Sequence, residues 1–144
     1  MNQLDIAVVG LRGIGGQHVK NLAQHSRARL AGVADINFQL RTEAAQTHGV
    51  QSYDDYRHLL ENAQLDAVVL AVPHHLHAPM ALEALEAGLH VFVEKPIANR
   101  VSEADQMVAL AKKRTASWPW ATITAPFPAI LSFFIDIVPG SFRL

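Results

Sequence analysis

The chain has 144 residues, of which 50% are hydrophobic, and its formal net charge at pH 7 is −1. This length is sufficient for one domain with its own core, and the balanced charge gives no basic surplus for nucleic-acid binding. The absence of cysteine excludes disulfides and thiolate metal sites. The segment Met1–Asp5 lacks the basic start and apolar core of a secretion signal, so we expect a cytoplasmic protein.

The first pattern in the chain is an apolar run that leads directly into a glycine-rich turn. Ile6–Val9 shows no polar alternation, as expected for a central parallel strand covered on both faces, and we predict a strand over Leu4–Val9. Gly10 allows a tight turn, and Gly15 allows a helix to pack close to the sheet. The helix predicted over Gly15–Gln24 directs its free N–H groups at the position of a pyrophosphate.

A second strand, predicted over Arg29–Ala34, ends at Asp35, twenty residues after Gly15. A carboxylate at this position can accept both ribose hydroxyls of an adenosine and repels a 2′-phosphate. Strand, glycine turn, helix, strand and acid together form the layout of a dinucleotide-binding βαβ unit. We therefore expect NAD as the cofactor, in preference to NADP.

The turn departs from the usual G-x-G-x-x-G spacing, because Arg12 stands where the second glycine belongs. Two alternatives restore phosphate binding: Gly13 provides the close backbone approach, or the Arg12 guanidinium pairs with a phosphate. In both alternatives the residues of the turn lie next to the bound phosphate. The candidate cofactor-binding residues of the turn are Gly10, Arg12, Gly13, Ile14 and Gly15.

The rest of the chain continues the alternation of strands and helices. The predicted elements are a helix over Phe38–His48 stopped by Gly49, a strand over Val50–Tyr53, a helix capped by Asp54 or Asp55 and carrying Tyr56, Leu59 and Leu60, a strand over Leu65–Val72, a helix with Pro79 in its first turn that runs to Gly88, a strand over His90–Val93, and a helix bracketed by Ser102 and Asp105 that ends in Lys112–Arg114.

This order predicts an α/β protein with a doubly wound parallel sheet, the Rossmann fold, in a single domain. In such sheets ligands bind beyond the carboxyl ends of the strands. Gly10, Asp35, the loop Pro73–His77 and the segment Glu94–Pro96 all follow strand ends, so we expect them to meet at one crevice.

Two basic side chains near this crevice have a structural and a functional interpretation. His18 lies early in the first helix, and we expect a helix-surface histidine, with a cofactor contact as the alternative. Arg41 is expected to be a solvated arginine on a helix face, with a position folded back toward the adenine as the alternative.

With these residues identified, the chain resembles the Gfo/Idh/MocA family of NAD(P)-dependent oxidoreductases (glucose-fructose oxidoreductase, inositol dehydrogenase and rhizopine catabolism). The resemblance covers Leu4 to about Arg114, and its most specific parts are Ala71–His77 and Val93–Pro96. It implies that Glu94 and Lys95 lie beside the nicotinamide and that Pro96 holds its peptide bond in a fixed isomer. It also implies that Pro73, His74 and His77 are cofactor-side residues.

The resemblance further implies a dehydrogenase that acts on a sugar, inositol or a related polyol, with Lys95 as the catalytic lysine. A lysine near the alcohol can stabilise a developing alkoxide or relay its proton. The alternative function is a non-catalytic nucleotide-binding module. A metal site built from His74, His75 and His77 is not expected, because no suitably spaced carboxylate or thiolate accompanies them.

Members of the family have a second, larger substrate domain, for which a chain ending at Leu144 has no room, so we expect that domain to be absent. We assign residues 1–114 to the dinucleotide-binding domain and residues 115–144 to an atypical apolar tail, whose only charges are Asp136 and Arg143. Without the partner domain, exposed surface could lead the chain to form a homo-oligomer.

Three explanations of the tail compete. A membrane anchor is opposed by the prolines inside it, and a genuine apolar tail on the sheet is the second explanation. The third is translation out of frame, because residues 116–124 can be encoded so that a shifted frame reads an apolar strand followed by Gly-His-His, as in the family. We hypothesise a frameshift, which the nucleotide sequence near codon 115 can test: it must offer a long open frame.

Overall fold

The structure is a computed structural model that describes residues 3–115 and 123–124. Within these residues strands and helices alternate along the chain. The elements are β1 (Leu4–Val9), α1 (Ile14–Ala23), β2 (Ala28–Ala34), α2 (Phe38–His48), β3 (Gln51–Tyr53), α3 (Tyr56–Asn62), β4 (Ala67–Leu70), a short 3-10 turn (His74–Leu76), α4 (His77–Glu86), β5 (His90–Val93), α5 (Val101–Thr115) and β6 (Ile123–Thr124).

The strands form one sheet in the order β3-β2-β1-β4-β5-β6, and all neighbouring strands are parallel. The chain first builds outward from β1 to β3 and then crosses back to continue from β4 on the other side of β1. This reversal is the topological switch point at which doubly wound sheets bind ligands. The predicted α/β fold is confirmed.

Hydrophobic cores lie on both faces of the sheet because alternate strand residues point to opposite sides. Ile6 and Val8 pack with Val19 and Leu22 of α1 on one face, where part of α2 covers the core. The other face holds residues from α3, α4 and α5 packed on the intervening strand positions: Ala7, Val9, Leu59, Val68, Leu70, Ala81, Leu85, Val91, Val93 and Met107.

The sequence placed most elements to within one or two residues. The bounds of β1, α2 and β5 are as predicted, and Gly49 ends α2 in a left-handed conformation, with φ 65°. Asp55, one of the two predicted caps, accepts a hydrogen bond from the backbone N–H of Arg57 at the start of α3. The strand predicted over Leu65–Val72 is shorter than expected, because β4 covers only Ala67–Leu70.

The predicted cap of the last helix was wrong. Ser102 is the second residue of α5 and does not precede it. The carboxylate of Glu103 instead accepts hydrogen bonds from the backbone N–H groups of Asn99 and Arg100, each 3.2 Å long. Glu103 thus reaches back to N–H groups that precede α5, as the glutamate of a capping box does, and its charge also suits the helix dipole.

The predictions for the tail are mostly outside the described residues. Ile123 and Thr124 form β6, which pairs in parallel with β5. Residues 116–122 and 125–144 are not described, so the boundary at residue 114, the membrane anchor and the frameshift hypothesis stay untested. Among the helices that the structure does describe, none combines the length and the apolar character needed to cross a membrane.

The tight packing of α1 on the sheet gives a stability prediction. A Cβ atom on Gly15 would lie 1.8 Å from the carbonyl oxygen of Gly10, so Gly15→Ala must displace the helix start. We expect a loss of about 1–3 kcal/mol in the free energy of unfolding, measured by urea denaturation. The matched control is Gly16→Ala in the same helix, where the new Cβ would lie 3.0 Å from the Leu11 carbonyl oxygen. An equal loss in both variants would contradict this account.

Candidate functional site

Four loops leave the carboxyl ends of β1, β2, β4 and β5 at the same edge of the sheet. Backbone hydrogen bonds extend the ladder into these loops: the N–H of Gly10 donates to the Ala34 carbonyl (2.8 Å), and that of Ala71 donates to the Val9 carbonyl (2.8 Å). On the far side, the N–H of Glu94 donates to the Leu70 carbonyl (3.0 Å). The four loops therefore lie at one edge of the sheet, as expected from this register. The expectation that all four line one crevice is not met, because Glu94–Pro96 does not line the crevice formed by the other three loops.

The glycine turn depends on two close backbone approaches. Gly10 has φ +83°, and a Cβ atom there would lie 2.3 Å from the Ala71 carbonyl oxygen, so the turn crosses directly over the end of β4. Gly15 meets the Gly10 carbonyl in the same way. No residue with a side chain fits either position without moving the backbone. Glycine at both positions therefore allows the close backbone approaches by which β1 passes into α1 within a few residues.

At the end of the turn where a phosphate is expected, the structure is compatible with both alternatives, a close backbone approach at Gly13 and an ion pair with Arg12. Gly13 precedes the first residue of α1 and has φ 57° and ψ −112°, and a Cβ atom there would meet nothing within 4 Å. The backbone at Gly13 is therefore open to a ligand. Arg12 is exposed and lines the neighbouring crevice, so its guanidinium can also reach an anion bound there.

Asp35 connects the loop after β2 to the glycine turn. Its Oδ2 accepts a hydrogen bond from the backbone N–H of Leu11 (2.8 Å), and its Oδ1 accepts one from the N–H of Asn37 (2.7 Å). Each carboxylate oxygen keeps capacity for a further acceptor interaction. The same side chain can therefore hold the turn in place and accept hydroxyl groups from a ligand.

A crevice of about 570 Å³ opens between the loops after β1, β2 and β4. Of the predicted cofactor-binding residues, Gly10, Arg12, Asp35 and Pro73 line it. Most other lining residues are apolar: Val9, Ala34, Ile36, Leu40, Ala71, Val72, Leu76 and Met80. Ile36 is 92% exposed at the mouth, so the crevice combines apolar walls with a carboxylate, as suits a flat heterocycle linked to a polyhydroxyl group.

Tyr56 is a lining residue whose role the sequence did not indicate. Its hydroxyl donates a hydrogen bond to the carbonyl oxygen of Met80 (2.7 Å), which ties α3 to α4 behind the crevice. Burial and the nearby negative charge of Glu83 raise the pKa of Tyr56, so the hydroxyl remains a donor. In the sequence Tyr56 was only one of several residues on the inner face of a helix.

The expectation of a solvated Arg41 was wrong. Its guanidinium donates hydrogen bonds to the carbonyl oxygens of Asp35 (3.2 Å) and Ile36 (3.1 Å). It also lies 5.1 Å from the centroid of the Phe38 ring, within the range of a cation–π contact. Arg41 thus folds back over the start of α2 and fixes the loop that carries Asp35.

The expectation of a surface position for His18 was also wrong. The side chain is 1% exposed and packs edge-on against the ring of Phe92. Its Nε2 lies 2.6 Å from Oε1 of Glu94, which follows β5. The contact joins residues 76 positions apart in the chain, so no local pattern could have revealed it.

His77 is a buried side chain that contacts both the loop after β4 and the loop after β5. It is fully buried, with Nδ1 lying 2.6 Å from the Pro96 carbonyl oxygen and Nε2 lying 2.9 Å from the Val72 carbonyl oxygen. The exposed His74 ring lies 5.6 Å from the His77 ring, centroid to centroid. His77 fixes the loop after β4 against the loop after β5, while direct contact of His74 or His77 with a cofactor stays a prediction.

The Glu94-Lys95-Pro96 segment divides into a buried and an exposed part. Glu94 is 7% exposed, and its Oε2 accepts a hydrogen bond from the backbone N–H of Lys95 (3.3 Å). Lys95 and Pro96 are exposed, and the peptide bond between them is cis. The buried acid therefore supports an accessible lysine at the rim, outside the crevice that Asp35 lines. In the described part of the chain, no cluster of three or more His, Asp or Glu side chains could hold a metal ion.

Comparison with known proteins is consistent with this geometry. Residues 4–118 match the Gfo/Idh/MocA family model, described as an oxidoreductase family with an NAD-binding Rossmann fold. An inositol 2-dehydrogenase from Rubrobacter xylanophilus is 36% identical over 109 residues, which cover 74% of this chain and 31% of the relative. A myo-inositol 2-dehydrogenase from Thermotoga maritima is 31% identical over 109 residues, covering 75% of this chain and 33% of the relative.

Among solved structures, the WlbA dehydrogenase from Chromobacterium violaceum in complex with NADH and UDP-GlcNAcA is similar to this chain. The TM-score is 0.76 and the identity is 32%, with 80% of this chain and 34% of the other chain covered. The chain thus spans about a third of the length of the relatives it matches. It belongs to the Gfo/Idh/MocA oxidoreductase family and contains the family's NAD-binding Rossmann domain.

Proposed function

We propose that this domain binds NAD(H) at the rim of the sheet and serves hydride transfer to or from a sugar, inositol or related polyol. The observation that carries the proposal is the arrangement of Asp35 and Lys95. Asp35 follows β2 and Lys95 lies just beyond β5, at the same edge of one parallel sheet, on opposite sides of the glycine turn. This is the placement that an extended dinucleotide requires.

The residues present fit the adenosine half of NAD. Asp35 has acceptor capacity for the two ribose hydroxyls, and its negative charge opposes a 2′-phosphate. The apolar walls around Ile36 and Leu76 suit an adenine ring. The open backbone at Gly13 and the N-terminus of α1 suit the pyrophosphate, with Arg12 as a second anion-binding group.

Lys95 is the group we assign to proton handling. When bound, NAD supplies the hydride acceptor, and oxidation of an alcohol also requires loss of the hydroxyl proton. Lys95 is exposed, and its backbone N–H donates to the buried Glu94 carboxylate. An ammonium group held at this position can stabilise the developing alkoxide and relay that proton. Glu94 would keep the lysine backbone in place rather than contact the substrate.

The substrate class is inferred from the relatives of this chain. Sugar or polyol substrates are favoured because relatives include inositol dehydrogenases and a structure that holds UDP-GlcNAcA. A cytoplasmic location and self-association stay predictions. The alternative, a non-catalytic NAD-binding module, uses the same crevice and differs only in the absence of turnover.

Cofactor preference tests the placement of Asp35. We expect the unchanged protein to bind NADH more tightly than NADPH, and Asp35→Ser to reduce this ratio of affinities by roughly tenfold or more, equivalent to 1.4 kcal/mol. The measurement is fluorescence titration with both cofactors. Because Asp35 also holds the Leu11 backbone, affinity for NADH itself should fall too. Asp105→Ser, on the exposed face of α5, is the control that should leave the ratio unchanged; equal affinities in the unchanged protein would contradict the proposal.

Turnover tests the role of Lys95. With inositol and a panel of sugars as substrates, Lys95→Met should lower kcat by about 10²–10⁴-fold, the usual contribution of a positioned acid–base group. NADH affinity should change far less, because the adenosine half of the site is intact. Lys113→Met, at the exposed end of α5, is the matched control and should retain activity. If the unchanged protein binds NADH but no substrate on the panel is turned over, the non-catalytic alternative is supported.

A further inference from the structure

A buried polar contact joins the start of α1 to the end of β5. His18 lies one turn after the glycine turn, and its Nε2 is 2.6 Å from Oε1 of Glu94. The two residues are 1% and 7% exposed, respectively. A hydrogen bond between an imidazole and a carboxylate in such surroundings is well shielded from water and holds its two elements at a fixed distance.

The surroundings of His18 indicate which ring nitrogen carries the proton. Nδ1 is buried and has no hydrogen-bond partner among the described residues. An N–H group at Nδ1 would be a buried unsatisfied donor, whereas a donor at Nε2 faces the Glu94 carboxylate. The arrangement favours the tautomer that donates from Nε2 to Glu94.

The second oxygen of the Glu94 carboxylate bonds to the backbone of Lys95. While Oε1 of Glu94 meets His18, Oε2 accepts the backbone N–H of Lys95 (3.3 Å). The first turn of α1 is where the proposed site receives the pyrophosphate, and Lys95 is where it handles the proton. A continuous chain of contacts therefore runs from the phosphate end of the site to its reactive end.

Stability alone gives little reason for this pair. Replacement of both partners of a buried hydrogen bond by apolar side chains of the same shape can be nearly neutral or stabilising, because it avoids the cost of desolvating polar groups. Phe92, which packs against His18 and belongs to the hydrophobic core, offers apolar surroundings for such a replacement. A positioning role accounts for the pair where packing does not.

We propose that His18 and Glu94 are positioning residues that set the nicotinamide end of the NAD site. They fix the backbone of Lys95 at a defined distance from the helix start that binds the pyrophosphate. The proposal rests on the proposed function, because it requires NAD to lie across the rim from Asp35 to Lys95. It adds that His18, acting through Glu94, controls how the nicotinamide half is bound.

The test compares NADH with ADP-ribose, which contains the same adenosine and pyrophosphate groups but lacks the nicotinamide. Titration of the full chain by calorimetry gives both affinities, and their ratio isolates the nicotinamide end. The unchanged protein should favour NADH. His18→Leu should reduce this preference by about tenfold, the effect of one lost hydrogen bond to a charged group, while the affinity for ADP-ribose changes little.

Three further variants separate positioning from loss of packing. His18→Gln keeps an amide donor that can reach Glu94 and should restore most of the preference. Val19→Ala removes buried volume from the adjacent residue of α1, so it should lower Tm without changing the ratio. Glu94→Gln retains the shape of the side chain, but its single terminal oxygen cannot accept hydrogen bonds from both His18 and Lys95. We expect this variant to reduce the ratio of NADH to ADP-ribose affinity, and it replaces His18→Leu in the test if that variant does not fold.

The outcomes distinguish this inference from the proposed function. If neither ligand binds the unchanged protein, the proposed function is wrong. If both bind but equally well, or if the His18 and Glu94 variants keep the preference for NADH, the NAD site stands and the positioning role is overturned. A fall in both affinities by the same factor would likewise overturn it, because that result indicates general loss of structure.

Discussion

The site depends on the close approach of three backbone segments beneath the glycine turn. Gly10 crosses the end of β4 against the Ala71 carbonyl, and Gly15 lies against the Gly10 carbonyl. These approaches bring the start of α1 directly over the switch point of the sheet, where strand order reverses. Everything proposed for the site follows from this placement, because it determines where the helix N–H groups point and how far Asp35 lies from the turn.

The site around this turn has two parts with different physical character. The part near β2 is a crevice with mostly apolar walls and the carboxylates of Asp35 and Asp54, suited to binding. The part near β5 presents an exposed lysine above a buried acid, suited to chemistry. Buried histidines connect the parts, since His18 reaches Glu94 and His77 lies between the Val72 and Pro96 carbonyls. We interpret these histidines as supports that hold the rim together, and contact of His77 with the cofactor stays a prediction.

The sequence predicted the fold well where local patterns decide structure. Apolar runs placed β1 and β5, and Gly49 marked the end of α2, because strand burial and left-handed caps leave direct signals in the residues. The ordering of the glycine turn, Asp35, and the Glu94–Pro96 segment was also sufficient to place them at one rim. The carboxyl ends of parallel strands all lie at the same edge of the sheet, so the residues that follow them lie there too.

The wrong predictions concern side chains with partners far away in the sequence, or with two local conformations that the sequence pattern does not distinguish. His18 was expected at the surface, but its partner lies 76 residues away, beyond any helical periodicity. Arg41 folds back onto carbonyl groups only five and six residues earlier, which a helix pattern does not distinguish from solvation. Glu103 caps α5 from inside the helix, where Ser102 was the expected cap.

The two hydrogen bonds of Asp35 have a consequence for the entropy of binding. Its carboxylate holds the backbone at Leu11 and Asn37, so contacts within the protein order the turn. A ligand that enters the crevice then meets a preformed surface and does not have to immobilise these loops itself. Asp35 thus orders the turn through bonds within the protein and also offers acceptor oxygens to a ribose, which reduces the conformational entropy lost on recognition.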